Sequence, residues 1–199
     1  MNNISKRAAR AANTQQKLRQ AAVAVFARKG FHETKISDIV AEAGVSQPAF
    51  YLYYASKEAA FAALVSEFRQ ALHEATRLCL ISPGLTSAEL YDDLRQSFTR
   101  FLTVLTQDRA LTEIGFFQPP DGEITKAQML EWIASNMAQE QQAGILRADI
   151  PVIYQARLVI GLLDQMARMA DNEQDIDRLA AICARIFCDA LGKRQTAEP

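Results

Sequence analysis

Apolar residues recur at helical spacing along nearly the whole chain, and no segment shows the alternation typical of a strand. Leu18, Ala22 and Phe26 define one face of a first helix, which the pattern ends near residues 29–30. Further apolar stripes predict helices over about 57–79, 87–105, 123–142, 151–171 and 175–191, with a shorter helix ending near residue 117. The pattern therefore predicts an all-α protein of about nine helices.

After the first helix, the pattern predicts two short helices joined by a sharp turn. Thr34 is the predicted N-cap of the first of them, and Ile39 faces the core. Gly44 supplies the turn. Ser46 caps the next helix, and Pro48 lies in its first turn, where a missing N–H costs nothing. The two helices and their turn form a helix-turn-helix.

The second of these helices carries more aromatic side chains than a small core can hold. At helical spacing, Phe50 and Tyr54 share the face that points to the core. The residues that point away are Gln47, Ala49, Leu52 and Tyr53, with Tyr51 at the margin. An exposed short helix fits the major groove, where Gln pairs with an adenine edge and small apolar groups touch a thymine methyl. The alternative is that the tyrosines are ordinary surface residues.

Lys57 lies in the first turn of the long helix that follows, within Ser56-Lys57-Glu58. A cation at a helix N-terminus opposes the helix dipole, at a cost of roughly 0.3–1 kcal/mol. A nearby anion would offset this cost. We expect a DNA phosphate, held by the Lys57 ammonium and the free N–H groups of the helix end.

Residues 17–65 resemble the DNA-binding domain of the TetR (tetracycline repressor) family of bacterial regulators, and the matching set is specific to that family. The landmarks are Ala22, Phe26, Gly30-Phe31, Thr34, Ile39-Val40, Ala43-Gly44-Val45-Ser46, Phe50-Tyr51, Tyr54 and Ser56-Lys57-Glu58. One departure is Tyr53, where members of the family often have His. A Tyr hydroxyl can still donate to a phosphate, so this departure affects base preference rather than docking.

The resemblance implies an interface with double-stranded operator DNA. It implies base contacts from Gln47, Pro48 and Ala49. It also implies phosphate contacts from Tyr51, Tyr53 and Lys57, and from Thr34 or Ser37. The complete predicted set is Thr34, Ser37, Ser46, Gln47, Pro48, Ala49, Tyr51, Leu52, Tyr53 and Lys57.

The last two predicted helices are apolar over more than one face, which exceeds what one core needs. We interpret the second apolar surface as a homodimer interface, a four-helix bundle with two helices from each protomer, as the resemblance also implies. The predicted interface residues are Leu158, Gly161, Leu162, Leu163, Met166, Leu179, Ile182, Ile186 and Phe187. Asp164 and Arg168 form an i,i+4 pair that either belongs to this interface or is an ordinary surface salt bridge.

The resemblance further implies a small-molecule pocket among the later helices, whose occupation tilts the fourth helix and changes the separation of two DNA-binding heads. The predicted lining residues are Phe68, Leu72, Tyr91, Arg95, Phe98, Phe101, Phe116, Phe117, Trp132 and Asn136. Such apolar stripes form a core more often than a pocket. Arg95 either meets an anionic or carbonyl group of a ligand or extends from the core edge into solvent.

Length and charge agree with two unequal domains. The chain has 199 residues, 49% of them hydrophobic, which suffices for one core and a smaller second one. The net charge of −1 conceals an asymmetry, because residues 1–60 hold nine Lys or Arg against four Asp or Glu. That balance of +5 leaves −6 for the remainder, so nucleic-acid affinity is concentrated at the front.

The first dozen residues contain Lys6, Arg7 and Arg10 but no apolar run. We interpret residues 1–12 as a flexible basic arm that either contacts DNA or is simply solvated. Residues 13–60 then form the helix-turn-helix domain, and residues 61–199 form the helical domain that binds the effector and dimerises.

Several classes of protein are excluded. Cys79, Cys183 and Cys188 lie in helical patterns and predict reduced core thiols, and His32 and His73 belong to no metal motif. The chain has no nucleophile motif, metal set, phosphate loop or carboxylate pair, so we predict no enzyme activity, metal or cofactor. No stretch approaches the ~20 apolar residues that span a membrane, and no signal peptide is evident, which predicts a cytoplasmic protein.

The sequence therefore predicts a homodimeric transcriptional repressor, which a mostly apolar small-molecule effector releases from a pseudo-palindromic operator. The alternative is a DNA-bound interaction protein whose C-terminal domain binds a protein partner instead of a small ligand.

Overall fold

The computed structural model describes residues 2–192, with side chains from residue 6 onward, and in this range it contains helices and no strand. The α-helices are α1 (Asn2–Glu33), α2 (Ile36–Ala43), α3 (Gln47–Tyr51), α4 (Lys57–Arg77), α5 (Ser87–Gln107), α6 (Arg109–Thr112), α7 (Asp121–Gln142), α8 (Val152–Met169) and α9 (Glu173–Leu191). A π-helix, Glu113–Phe117, follows α6. The predicted all-α class is confirmed. Residues 1 and 193–199 of the predicted domains lie outside the described range.

The helix α1 differs from the prediction at its start, and Gly30 interrupts it where the sequence predicts its end. It begins at Asn2, so the residues expected to form a flexible arm are helical where the structure describes them. Gly30 interrupts the helix with φ 76° and ψ 164°, a conformation that favours glycine. The interruption lets Phe31 pack beside Phe26 and Phe61, with ring centroids 6.1 and 5.0 Å away.

Two compact units make up the chain. The first comprises residues up to Arg69 together with Ala110–Gly122, and the second comprises Gln70–Arg109 together with the residues from Glu123 onward. The division therefore lies at Arg69, whereas the sequence predicted a boundary at 60/61. Because α4 spans this division, it contributes residues to both units.

Contacts within the first unit explain why it includes a segment distant in sequence. A Cβ at Gly115 would lie only 2.7 Å from the ring of Phe68, so the π-helix packs directly on α4. Arg69 on the same helix donates to the Asp121 carboxylate at 2.9 Å. The close approach at Gly115 and this ion pair together attach residues 110–122 to the middle of α4.

In the second unit, α5 packs against α8 and α9. A capping box begins α5, in which the Thr86 hydroxyl accepts from the Glu89 N–H and the Glu89 carboxylate accepts from the Thr86 N–H. The amides of Gln141 and Gln155 both donate to the carbonyl of Ile150 and so fix the connection between α7 and α8.

Three further features of the described residues concern membrane spans, disulfides and metal sites. None of their helices has the length and apolar character that crossing a membrane requires. Cys79, Cys183 and Cys188 are free thiols, of which Cys183 is buried. Nowhere in the described part do three or more His, Cys, Asp or Glu side chains form a cluster suited to a metal ion.

Candidate nucleic-acid interface

The turn between α2 and α3 forms where the sequence predicts it. Gly44 follows the last residue of α2 with φ 65°, in the left-handed region. The Val45 N–H then donates to the Val40 carbonyl at 3.1 Å, which closes the turn. Ser46 occupies the N-cap position of α3, although its side chain makes no capping hydrogen bond. The local signals in the sequence therefore located the helix-turn-helix correctly.

The side chains of α3 divide between core and solvent as the helical spacing predicts. Phe50 is fully buried, and Tyr54 is half-buried beside it with ring centroids 5.5 Å apart. Gln47 and Pro48 are exposed, and Ala49 is half-buried. Tyr51 is 51% exposed and Leu52 81% exposed, an unusual exposure for such side chains. The outer face of α3 is thus available to a partner.

An open groove of about 520 Å³ lies beside this face and brings together the beginnings of α2, α3 and α4. Its lining residues are Thr34, Lys35, Ile36, Ser37, Gln47, Tyr51, Ala55, Ser56, Lys57 and Glu58. Helix N-termini present free N–H groups and a positive dipole end, which favour phosphate. Sequence reasoning missed Lys35 and Ser56 as groove residues, although a cation and a small hydroxyl directly before helix starts were available signals.

The Lys57 ammonium is hydrogen-bonded to groups of the protein itself and not left free for an external anion. It donates to the carbonyls of Phe31 at 2.9 Å and His32 at 3.4 Å. It also lies 4.5 Å from the centroid of the Phe31 ring, a cation–π contact. The end of α1 thus supplies the negative partner for which the sequence suggested a phosphate. Lys57 still lines the groove, half-buried.

Tyr53 also has an internal partner. It was expected to point away from the protein and donate to a phosphate, but its hydroxyl donates to the Ala11 carbonyl at 2.9 Å. The hydroxyl donor is therefore already used, and the Tyr53 side chain links the residues that follow α3 to α1. Tyr51 is the more exposed of the two tyrosines and lines the groove.

Thr34 is not the N-cap of α2, and this prediction was wrong. Thr34 is buried and its hydroxyl donates to the Gly30 carbonyl at 2.7 Å. It therefore provides a partner for a backbone carbonyl at the break in α1. Lys35 occupies the N-cap position, and its N–H donates to the Asp38 carboxylate. Of the alternative phosphate contacts Thr34 and Ser37, the exposed one is Ser37.

Ion pairs fix α2 against α1. Asp38 lies 3.0 Å from the Lys29 ammonium, and Glu42 lies 3.0 Å from Arg28. The Lys35 N–H and the Lys29 ammonium hold the pKa of Asp38 below its ordinary value. Exposed pairs of this kind contribute little to stability.

Comparisons with known proteins agree with this geometry. Residues 18–64 match the family model described as "Bacterial regulatory proteins, tetR family". The chain is 31% identical over 153 residues to YdgC of Bacillus subtilis (strain 168), described as an uncharacterized HTH-type transcriptional regulator. That match covers 77% of this chain and 78% of YdgC. This chain belongs to the tetR family. It is a DNA-binding transcriptional regulator of the helix-turn-helix type.

Solved structures of bacterial regulators share the fold. The fatty acid degradation regulator FadR of Bacillus halodurans aligns with a TM-score of 0.68 at 17% identity, over 91% of this chain and 97% of that one. FadR of Bacillus subtilis in complex with stearoyl-CoA aligns with a TM-score of 0.62 at 19% identity, over 87% and 97%. At these identities the likeness concerns the fold alone.

The second unit of this tetR-family chain contains a narrow cavity of about 50 Å³. It is lined by Thr76, Cys79, Ile81, Leu94, Ser97, Phe98, Phe101, Ile133, Asn136, Met137, Glu140, Val159 and Phe187. Burial raises the pKa of Glu140 to about 7, against the effect of the Ile81 N–H, and Asp93 adds to the rise. The cavity is mostly apolar with a few polar groups, as ligand sites are.

Three of the ten residues predicted for a ligand pocket line this cavity, namely Phe98, Phe101 and Asn136. The other seven do not line it, and they are Phe68, Leu72, Tyr91, Arg95, Phe116, Phe117 and Trp132. Phe68 and Phe116 are buried in the first unit. Arg95 is partly exposed and lies 3.9 Å from Asp92, so its side chain reaches the surface.

The residues predicted for a dimer interface fall into two groups. Leu163, Leu179 and Phe187 are buried in the protomer's own core, so they are not available to a partner. The residues that are exposed or half-buried are Leu158, Gly161, Leu162, Met166, Ile182 and Ile186. Asp164 pairs with Arg168 as expected, and also with Lys126 of α7.

Proposed function

We propose that this regulator is a homodimeric repressor that binds a pseudo-palindromic operator and is released by a small-molecule effector. The observation that carries the DNA-binding part is the exposed face of α3 beside the groove on which α2 and α4 begin. In this arrangement Gln47 and Ala49 contact base edges, while Ser37, Tyr51 and the helix N-termini contact phosphates.

The exposed apolar side chains of α8 and α9 support a dimer. Leu158, Ile182 and Ile186 are each about 40% exposed, and Tyr154 is 65% exposed. The helices α8 and α9 contact each other, and exposed apolar side chains on neighbouring helices are typical of an interaction surface. A Cβ at Gly161 would meet no atom within 4 Å, so another helix can approach closely there. A two-fold dimer presents two copies of α3 to two half-sites, about 34 Å apart.

The cavity of the second unit supports an effector site. B. subtilis FadR, which shares the fold, was solved with stearoyl-CoA. Ligand pockets usually measure about 300–1,000 Å³, so a cavity of about 50 Å³ must enlarge when it binds an effector. Thr76 lines the cavity and belongs to α4, which begins at Lys57 beside the groove. We propose that movement of α4 couples the effector to DNA binding.

Binding to the DNA that flanks its own gene tests this function. We expect a salt-sensitive complex that survives competition by random DNA, and protection from cleavage at two half-sites about one helical turn apart. A single protected half-site, or equal affinity for random DNA, would contradict the proposal.

The small cavity also favours the alternative in which the C-terminal domain binds a protein partner. A screen of small molecules by thermal unfolding distinguishes the two functions, since a ligand that binds only the folded protein raises its melting temperature. Ligand-induced stabilisation together with release from DNA supports the effector; stabilisation by none of the molecules favours the protein partner.

A further inference from the structure

The cavity of the second unit contains a buried hydroxyl with no internal partner. Ser97 on α5 is 6% exposed, and its hydroxyl oxygen makes no hydrogen bond to any described residue. A buried Ser or Thr in a helix can donate to the carbonyl four residues earlier, as Thr76 and Thr99 do in this unit. A buried polar atom left unpaired costs roughly 1–3 kcal/mol. Its position on the cavity wall leaves this hydroxyl available to a ligand.

Glu140 on α7 lies on the same wall and is 4% exposed. Its Oε1 accepts from the Ile81 N–H at 3.1 Å. No Lys or Arg is among the residues that line the cavity, and the charged neighbour that affects Glu140 from α5 is the acidic Asp93. A carboxyl group buried without a cation favours a ligand that donates a hydrogen bond or brings a positive charge.

The remaining polar groups on the wall are largely engaged. The Asn136 amide donates to the Thr76 carbonyl at 2.9 Å, and the Thr76 hydroxyl donates to the Leu72 carbonyl at 2.9 Å. The rest of the lining is mostly apolar and includes the rings of Phe98 and Phe187, whose centroids are 6.2 Å apart. The cavity thus presents the Glu140 carboxyl and the free Ser97 hydroxyl to a mostly apolar ligand.

We infer that the effector of this regulator is a small apolar molecule that carries one hydrogen-bond donor, an amine or a hydroxyl, and that the cavity rejects carboxylates. The donor bonds to the Glu140 carboxyl, and the Ser97 hydroxyl contacts the same polar group. Once Glu140 is ionised, a carboxylate would face it with no Lys or Arg among the lining residues to balance either charge. This inference rests on the proposed effector site and names the chemical class that the site accepts.

Size sets a second requirement. An engineered cavity of about 150 Å³ holds benzene, whereas this cavity measures about 50 Å³. A ligand with an aromatic ring must therefore displace side chains. Met137 on the cavity wall is the most adaptable of them, because its unbranched thioether has several accessible rotamers.

Three probes with one ring and different polar groups test the inference: benzylamine, benzyl alcohol and benzoate. Their binding to the full-length protein is measured without DNA by thermal unfolding and calorimetry, at about pH 8.5, where Glu140 with its pKa of about 7 is ionised. We expect benzylamine and benzyl alcohol to bind at least about tenfold more tightly than benzoate, the factor that a lost charge-assisted hydrogen bond implies. Benzoate binding as tightly as the other two, or no binding by any probe, would overturn the inference.

Two variants locate the site. Glu140→Gln keeps an oxygen for the Ile81 N–H but turns its other group into a donor, so benzylamine should bind about tenfold more weakly. Ser97→Ala removes an unpartnered hydroxyl, so the protein should be equally or more stable, yet bind benzylamine and benzyl alcohol less tightly. Glu131→Gln, an exposed position on the same helix, is the matched control. Unchanged binding in both cavity variants would place the probe elsewhere.

These measurements are independent of operator binding. Failure of all three probes with intact, specific DNA binding would remove the proposed ligand class and leave the DNA-binding function standing. If the wild-type protein shows no specific DNA binding but binds the three probes in the expected order of affinity, the repressor function is contradicted and the ligand class stands.

Discussion

The Lys57 ammonium donates to the Phe31 carbonyl at 2.9 Å and lies 4.5 Å from the centroid of the Phe31 ring. The first residue of α4 therefore holds the end of α1, where backbone carbonyls lack helical partners. This contact places a positive charge beside the groove. It also holds the start of α4, one of the three helix starts that line the groove.

We expect Lys57→Ala to lower the free energy of unfolding by about 1–2 kcal/mol, through the lost charged hydrogen bond and the cation–π contact. Urea denaturation measures this effect. Lys17→Ala, at an exposed position of α1, should change it by less than about 0.5 kcal/mol. Unchanged stability of Lys57→Ala, combined with a salt slope of DNA binding lower by roughly one unit, would instead show that the ammonium contacts a phosphate.

The two neighbouring tyrosines should behave differently when their hydroxyls are removed. Tyr53→Phe loses the hydrogen bond to the Ala11 carbonyl and should cost about 0.5–1.5 kcal/mol of stability. Tyr51→Phe should leave stability unchanged, since its side chain is exposed, but weaken binding to specific and random DNA alike. Denaturation and DNA titration of both variants check this expectation, and the reverse assignment of the two effects would contradict it.

Glu140 should make the stability of the protein fall as pH rises. Burial raises its pKa from 4.5 to about 7, so the folded state holds a proton that the unfolded state has released between these values. The stabilisation is complete below the ordinary pKa and is lost as pH rises through about 7, with a total of about 3 kcal/mol. Denaturation at several pH values measures it.

Glu140→Gln should remove this component of the pH dependence because it cannot titrate. Glu131→Gln, exposed on the same helix, should retain it. An identical pH dependence in the wild type and in Glu140→Gln would show that another group is responsible.

Substitution on the exposed face of α9 should separate the proposed dimer. Ile186 is 38% exposed, so Ile186→Glu should leave the protomer folded while burying a charge in the interface. We expect monomers by analytical ultracentrifugation and a weaker, half-site affinity for the operator. Ile124→Glu on α7, a similarly exposed residue, should remain dimeric. Folded dimers of Ile186→Glu would place the interface elsewhere. Leu163→Glu is no substitute, because Leu163 is fully buried in the protomer.

Local signals explain which parts of the DNA-binding head could be predicted from the sequence. Gly44, Ser46 and Pro48 act within one turn of the chain, and they located the helix-turn-helix. The partners of Lys57 and Tyr53 are carbonyls 26 and 42 residues away. A sequence pattern does not show such contacts, so both side chains were assigned to phosphates.

The C-terminal helices show a different limit. Leu163 and Ile186 both lie on helices that are apolar around more than one face, and spacing alone cannot decide which face is turned inward. Aromatic stripes likewise fail to distinguish a packed core from a cavity wall, so Phe68 and Phe98 looked equivalent. Glu140 and Ser97 were missed because a single polar residue in a helix normally lies on the surface.

Replacement of Gln47 tests most directly whether the exposed face of α3 selects bases. Gln47→Ala and the control Gln20→Ala, an exposed residue of α1, are titrated against the operator, its single-base variants and random DNA. If Gln47 contacts a base, its loss abolishes discrimination of about 1–3 kcal/mol at one position of each half-site and leaves binding to random DNA unchanged. Equal losses on the operator and on random DNA would show that Gln47 contacts no base.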